Sequence, residues 1–152
     1  MTDPVRGLEH DHVPLSETVA RIRARLVKSP AREVIGDLPT LRLVEGLRDD
    51  LLAHFAKEEE GLFPFLSREV PDLARDVDRL LAGHESVCGC IVRLAHSLSV
   101  GRGAYEDIVA LFERFERVYA EHSRSEVSLL RTVGTRLDET QRRELASLLD
   151  GL

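Results

Sequence analysis

Four long segments of the chain carry apolar residues at spacings of three and four. This spacing places one apolar stripe along a helix, and no segment shows the period of two that a half-buried strand requires. Prolines and glycines separate the segments, which predicts helices over about 11–28, 40–63, 71–98 and 104–136. Amphipathic helices with short connections pack against one another, so the pattern predicts an all-α, antiparallel up-down-up-down four-helix bundle.

Short polar and proline signals set the predicted helix ends. Asp11 stands where it can serve as the N-cap of the first helix. Pro64 lacks the backbone N–H that a helix interior needs, so we expect the second helix to stop before it. Asp138 and Gln141 have the spacing of a capping box, which predicts a short extra C-terminal helix over about 139–150 that caps the bundle or supports a dimer.

Length and composition fit a globular protein. The 152 residues match a single domain, expected to span 1–152 with the bundle over about 11–136. Hydrophobic residues make up 43% and charged residues 32%, which excludes a disordered chain. No apolar run approaches the roughly 20 residues of a membrane span, and the N-terminus lacks the basic and apolar regions of a signal peptide, so we expect a cytoplasmic protein. The net charge of −6 and the scattered basic residues argue against nucleic acid as a partner.

Each predicted apolar stripe is interrupted by a histidine, and two stripes also contain a glutamate one turn later. The interrupting residues are His12, His54, Glu58, His84, His122 and Glu126. A single histidine on a stripe is usually an ordinary core residue, but one on each of four helices exceeds what chance placement gives. A buried carboxylate is costly unless it is paired or bound to a metal, so the six side chains predict a metal site inside the bundle.

Imidazole and carboxylate ligands together narrow the choice of metal. Calcium and magnesium prefer oxygen ligands, and zinc is saturated by three or four of the six side chains. A mixed nitrogen and oxygen set suits iron, with manganese and zinc as alternatives. Six ligands are too many for one ion with an open position and about right for two, as in the carboxylate di-iron sites of helical bundles.

The order of these residues, H…HxxxE…H…HxxxE, is carried by the stretches DHVPL, HFAKEEE, GHESV and HSRSE. This pattern resembles the hemerythrin-like family of HHE cation-binding domains over about residues 8–135. The resemblance implies an antiparallel four-helix bundle around a non-haem, oxo- or hydroxo-bridged di-iron centre. It also implies that the ligands of the two iron ions are His12, His54, Glu58, His84, His122 and Glu126.

The third helix departs from the pattern of the oxygen-carrying hemerythrins, which have HxxxH there and end with HxxxxD. Leu80 and Cys88 lie one turn before and one turn after His84, so a fifth histidine is missing. Cys88, Tyr119 or water can fill the vacant position, and the ordinary alternative is a buried structural thiol or a core tyrosine. The missing ligand implies a centre that is more reactive and less suited to reversible oxygen storage.

Four other polar residues lie off the apolar stripes. His10 and His96 are expected to face solvent, although the sequence HDH offers His10 as a competitor of His12. Glu59 and Glu60 are expected to line the wet face of the second helix. Only the first glutamate of the EEE run is therefore predicted to point inward.

These features predict a non-haem di-iron protein that binds O2 or NO as a sensor, scavenger or carrier. An enzyme acting on NO or peroxide, or in iron–sulfur repair, is one alternative, and an iron-responsive interaction module is another. A metal-free bundle with a polar core is disfavoured because unpaired buried glutamates are costly. The sequence leaves open the electron donor and whether the protein is a monomer or a homodimer.

Overall fold

The computed structural model describes residues 3–28, 37–101 and 103–152, and these residues form helices with no strand among them. The elements in chain order are α1 (Pro4–His10), α2 (His12–Lys28), α3 (Leu38–Lys57), a π-helical turn (Glu58–Leu62), α4 (Phe63–Glu69), a 3-10 turn (Pro71–Leu73), α5 (Ala74–Val100), α6 (Tyr105–Arg136) and α7 (Glu139–Asp150). The predicted all-α class with a short C-terminal helix is confirmed. Among the described helices, none has both the length and the apolar character that a membrane crossing requires.

The long helices pack in a ring, with α2 on α3, α3 on α5, α5 on α6, and α6 on α2. Arg25 near the end of α2 pairs with Asp37 at the start of α3 at 3.1 Å. Arg136 at the end of α6 pairs with Asp72, just before α5, at 2.6 Å. The end of one helix thus meets the start of its neighbour, which is the up-down-up-down arrangement of an antiparallel bundle.

A polar layer divides the apolar core into two clusters. On α6, Tyr119 belongs to one cluster and Leu129 to the other, whereas His122 and Glu126 lie between them. The first apolar cluster is built around Leu26, Leu47, Leu51, Val87, Ile91, Phe112 and Phe115. The second apolar cluster is built around Leu8, Leu62, Phe65, Leu66, Leu80, Leu130 and Leu145. Burying such side chains contributes roughly 1.5–3 kcal/mol each, so the two clusters hold the helices on both sides of the polar layer.

The start of the chain differs from the prediction, because a separate helix, α1, precedes the first long helix. Asp3 caps α1 by accepting a hydrogen bond from the Val5 N–H at 3.0 Å, and Pro4 occupies the first turn. Aspartate followed by proline is a helix-start signal. Asp11 has helical backbone angles (φ −59°, ψ −24°) at the C-terminal end of α1, so the prediction that it is an N-cap is wrong.

The second long segment continues past Pro64 to Glu69, so the prediction that it stops at residue 63 is also wrong. The N–H of Phe63 donates to the carbonyl of Glu58, five residues back, which widens the helix into a π-helical turn. Pro64 then lies in the first turn of α4, a position at which proline is tolerated. The chain thus passes through the proline without ending the helical segment.

The C-terminal helix α7 covers one end of the bundle. Its predicted capping box is present, with the Gln141 N–H 2.8 Å from the Asp138 side chain and the Asp138 N–H 2.9 Å from the Gln141 side chain. Leu145 is fully buried in the second apolar cluster. A Cβ atom at Gly61 would lie 2.7 Å from Leu149 Cδ2, so a glycine in the π-helical turn is what allows α7 to pack this closely.

Candidate metal centre

The six side chains that interrupt the predicted stripes all lie in the polar layer. They come from every long helical segment: His12 from α2, His54 from α3, Glu58 from the π-helical turn, His84 from α5, and His122 and Glu126 from α6. Glu58 and Glu126 are 0% exposed, and of the six only His12 is less than fully buried. Two carboxylates at this depth require a compensating positive charge.

One group consists of His12, His54 and Glu126, which offer ligand atoms within 4.8 Å of one another. Nε2 of His54 is 2.7 Å from Oε1 of Glu126. Nε2 of His12 is 2.5 Å from the other oxygen of this carboxylate but forms no hydrogen bond with it. Two imidazoles from different helices thus converge on one buried carboxylate.

The second group consists of Glu58, His84 and His122, whose ligand atoms meet the same 4.8 Å limit. Nε2 of His84 is 2.8 Å from Oε2 of Glu58. Oε1 of Glu58 is 3.3 Å from Nε2 of His54, which belongs to the first group. The two groups are therefore adjacent, and Glu58 faces donors of both.

Four buried ligand atoms have no hydrogen-bond partner among the described residues. They are His12 Nε2, Glu58 Oε1, His122 Nε2 and Glu126 Oε2. A buried polar atom left without a partner costs about 1–3 kcal/mol, and more when it is charged. A cation among these atoms would supply the missing partner, so the residues present fit a metal centre of the imidazole–carboxylate kind.

Burial keeps two of the imidazoles in the neutral form. Burial lowers the pKa of His122 to about 4, and the charge of His84 acts in the same direction. Burial also lowers the pKa of His12. A neutral imidazole has a free lone pair for a metal ion, so both rings can act as ligands at neutral pH.

The pKa of His54 is raised, whereas those of His12 and His122 are lowered. Burial lowers the pKa of His54, but the nearby carboxylates of Asp11 and Glu58 outweigh burial and raise the pKa to about 9. Burial raises the pKa of Glu58, but the adjacent imidazoles of His54 and His84 hold the pKa below its usual value. A proton on His54 therefore offsets only part of the negative charge of the two buried carboxylates.

The family model for the hemerythrin HHE cation-binding domain matches residues 3–133, which include all six of these side chains. The chain belongs to the hemerythrin HHE cation-binding family. Hemerythrin-type domains bind metal cations, typically iron, so this is a cation-binding helical protein. No curated protein and no solved structure matches the chain.

In this HHE domain, Asp11 contacts the centre from outside the polar layer. Its Oδ2 atom is 3.1 Å from Nδ1 of His54 and accepts a hydrogen bond from Nζ of Lys57 at 3.2 Å. The sequence assigns Asp11 to a helix cap because contact with α3 depends on how the helices pack, which residue spacing does not reveal. Asp11 is therefore a site residue that sequence reasoning misses.

Glu59 contacts a histidine of the second ligand group in the way that Asp11 contacts His54 of the first. Its Oε1 atom is 2.7 Å from Nδ1 of His84, and the side chain is 45% exposed. The prediction that Glu59 and Glu60 lie on the wet face is confirmed, but it misses the contact of Glu59 with the centre. The available signal is slight, namely that Glu59 directly follows the inward-facing Glu58.

Aromatic rings fix the plane of His84 in this domain. The ring of Phe55 stacks on it with 3.8 Å between centroids and 15° between planes. Phe63 is also stacked with it, at 5.7 Å and 22°. The rings of His122 and Phe55 form a T-shaped pair with 5.4 Å between centroids. These contacts limit ring rotation, so the second group is held in one arrangement.

Gly83 lets α5 and α6 approach closely beside the centre. A Cβ atom at this position would collide with Nδ1 of His122. Gly83, Val118 and His122 also line a surface pocket of about 390 Å³. The present position of His122 therefore requires a glycine at position 83. The pocket exposes one side of the His122 ring to small molecules from solvent.

The remaining candidates occupy less central positions. Leu80 is buried in the second apolar cluster, and Cys88 is half-buried against the first, in neither ligand group. The Tyr119 hydroxyl is buried without a hydrogen-bond partner among the described residues. His10 is exposed at the end of α1, so His12 and not His10 joins the centre. His96 is exposed, as predicted.

Proposed function

We propose that this HHE domain holds two iron ions, one in each ligand group. His12, His54 and Glu126 would hold the first ion, and Glu58, His84 and His122 the second. The observation that carries the proposal is the pair of adjacent three-residue groups, each with ligand atoms within 4.8 Å. The four buried atoms without hydrogen-bond partners support it, because a metal-free core would leave them unsatisfied.

Glu58 is the residue best placed to serve both ions. One of its oxygens is 2.8 Å from Nε2 of His84 and the other is 3.3 Å from Nε2 of His54. Both oxygens of Glu126 face the first group, since they lie 2.5 Å and 2.7 Å from His12 and His54. We infer that Glu58 would help to hold both ions, whereas Glu126 would chiefly help to hold the first.

A pair of iron ions would supply redox-active binding of a small diatomic molecule, and we propose O2 or NO as that ligand. The ion in the second group would have three protein donors, because Leu80 offers no ligand atom one turn before His84. Coordination positions would therefore remain open. Surface pockets reach the centre at three of its histidines, His122, His12 and His54, so a small molecule has short paths to it, and the two apolar clusters flank the polar layer.

Metal analysis tests the first part of the proposal. Protein purified with iron should contain about two iron ions per chain, a number typical of carboxylate di-iron bundles. The same donors also suit manganese and zinc, so the three metals should be supplied in competition. A chain that folds equally well and takes up none of the three would contradict the proposal.

Rapid mixing tests the second part. The oxidised, iron-loaded protein should show near-ultraviolet charge-transfer absorption that shifts when azide is added. The reduced protein should then be mixed with O2, NO and peroxide in a stopped-flow instrument. A spectrum that returns when the gas is removed indicates a binding protein, whereas continued consumption indicates an enzyme. If none of the three changes the spectrum, diatomic ligand binding is wrong.

A further inference from the structure

Two carboxylates outside the polar layer contact the far side of one imidazole in each ligand group. Asp11 Oδ2 is 3.1 Å from Nδ1 of His54 in the first group. Glu59 Oε1 is 2.7 Å from Nδ1 of His84 in the second. In both imidazoles Nε2 is the atom that faces the buried glutamates, so each ring lies between an outer and an inner carboxylate.

The other imidazole of each group has no such support. Among the described residues, no side chain forms a hydrogen bond with Nδ1 of His12 or of His122. Each group therefore combines one imidazole with an outer carboxylate and one without. The same arrangement occurs in both groups, each time through a carboxylate that is next to a candidate ligand in the chain. This repetition favours a role at each site over two accidental ion pairs.

The outer carboxylates are too far from the interior to act as ligands themselves. Nδ1 and Nε2 lie on opposite sides of an imidazole ring, so a group bonded at Nδ1 cannot reach an ion bound at Nε2. Asp11 and Glu59 are 31% and 45% exposed, whereas the inner glutamates are 0% exposed. Their effect on a bound ion must pass through the ring.

We propose that Asp11 and Glu59 are positioning residues, each serving one of the two cation sites through His54 and His84, respectively. This inference rests on the proposed function. By accepting the N–H at Nδ1, each carboxylate fixes the orientation of the ring and leaves the lone pair at Nε2 directed at the cation. Groups that hold ligating histidines in this way typically change metal affinity by about 10–100-fold when they are removed.

The test uses the full chain and Co2+, whose visible absorption reports the geometry of its ligands. Wild type should bind about two Co2+ ions per chain. Asp11→Ala should weaken one binding step by about 10–100-fold and leave the other unchanged, and Glu59→Ala should weaken the other step. The double variant should weaken both. Asp11→Asn and Glu59→Gln, which keep a hydrogen-bond acceptor, should recover part of the affinity and of the wild-type spectrum.

Matched controls are available beside each residue. Glu60→Ala removes the exposed glutamate next to Glu59, and Asp50→Ala removes an exposed aspartate that lines the same surface pocket as Asp11. Both should retain wild-type affinity and spectrum. Circular dichroism of the metal-free variants separates loss of affinity from loss of folding, and only variants with the wild-type helical signal enter the comparison. The conservative variants supply the comparison where an alanine variant unfolds.

Three results distinguish the possible failures. If Asp11→Ala and Glu59→Ala match their controls in both binding steps, the positioning role is wrong. If either variant weakens both steps equally, the assignment of one residue to each site is wrong. If wild type binds neither Co2+ nor iron, the proposed function itself fails, before any variant is compared.

Discussion

Nε2 of His54 lies 2.7 Å from Oε1 of Glu126, although 72 positions separate the two residues in the chain. His54 belongs to the first HxxxE motif and Glu126 to the second, yet they lie in the same ligand group. His122 and Glu58, the other members of the two motifs, share the second group. Each motif thus contributes its histidine to one group and its glutamate to the other.

Because each motif supplies donors to both groups, the grouping predicts how much iron is lost when two ligand substitutions are made together. His54→Ala and Glu126→Ala should each leave about one iron ion per chain. The double variant should still bind about one ion, because both substitutions remove donors of the same ion. His54→Ala combined with His122→Ala should leave almost none, because the two histidines belong to different groups. Iron per chain, measured by elemental analysis after gel filtration, checks this.

The control for this series is His10→Ala, which removes an exposed histidine close to the centre in sequence and should keep the wild-type iron content. If His54→Ala with Glu126→Ala lost both ions while His54→Ala with His122→Ala kept one, the grouping would be wrong. If every ligand variant, single or double, lost the same amount of iron, the two ions would bind only together.

Gly83 provides a test of the close approach between α5 and α6. Gly83→Ala should displace the His122 ring, because the added Cβ atom would collide with Nδ1, and the ion of the second group should be lost or weakly held. Gly89→Ala, on the same helix with nothing within 4 Å of the added atom, should instead stabilise the protein by up to about 1 kcal/mol. Metal titration and thermal unfolding of both variants measure the contrast. Normal iron binding by Gly83→Ala would show that His122 is not required as a ligand.

Metal binding should stabilise the fold, because the four unpartnered atoms belong to the core. With free Fe2+ under anaerobic conditions at 100 times its Kd, the expected gain is about 2.7 kcal/mol for one site. For a chain of this size, that gain raises Tm by roughly 5–10 °C. Calorimetry at several metal concentrations, with a chelator as the reference state, measures the effect. A Tm that does not change with metal concentration would contradict binding in the core.

The arrangement of the centre was largely predictable because it depends on helical periodicity. His54 and Glu58 fall on one apolar stripe, and His122 and Glu126 fall on another, so both pairs had to enter the core once the helices formed. The antiparallel ring then placed them at one level between the apolar clusters. Periodicity identifies which side chains point inward, and that is most of what defines this layer.

What could not be predicted depends on packing between helices and on one irregular turn. The contact of Asp11 with His54 joins residues on different elements, and a cap is the only role that local spacing assigns to an aspartate there. Pro64 predicts a helix end by the local rule, but the π-helical turn before it accommodates the ring. Neither outcome follows from a stripe, since each involves residues outside the apolar pattern.

The capping box of α7 allows the stability of the fold to be separated from the metal centre. Asp138→Ala removes the acceptor of the Gln141 N–H and should cost about 1 kcal/mol, which lowers Tm by roughly 2–4 °C. Thr140→Ala, an exposed change in the same turn that leaves the capping box intact, should have a smaller effect. Because Asp138 belongs to neither ligand group and its side chain caps α7, iron content should stay at the wild-type level in both variants. A loss of iron on Asp138→Ala would instead mean that α7 supports the centre through its contact with Gly61 in the π-helical turn.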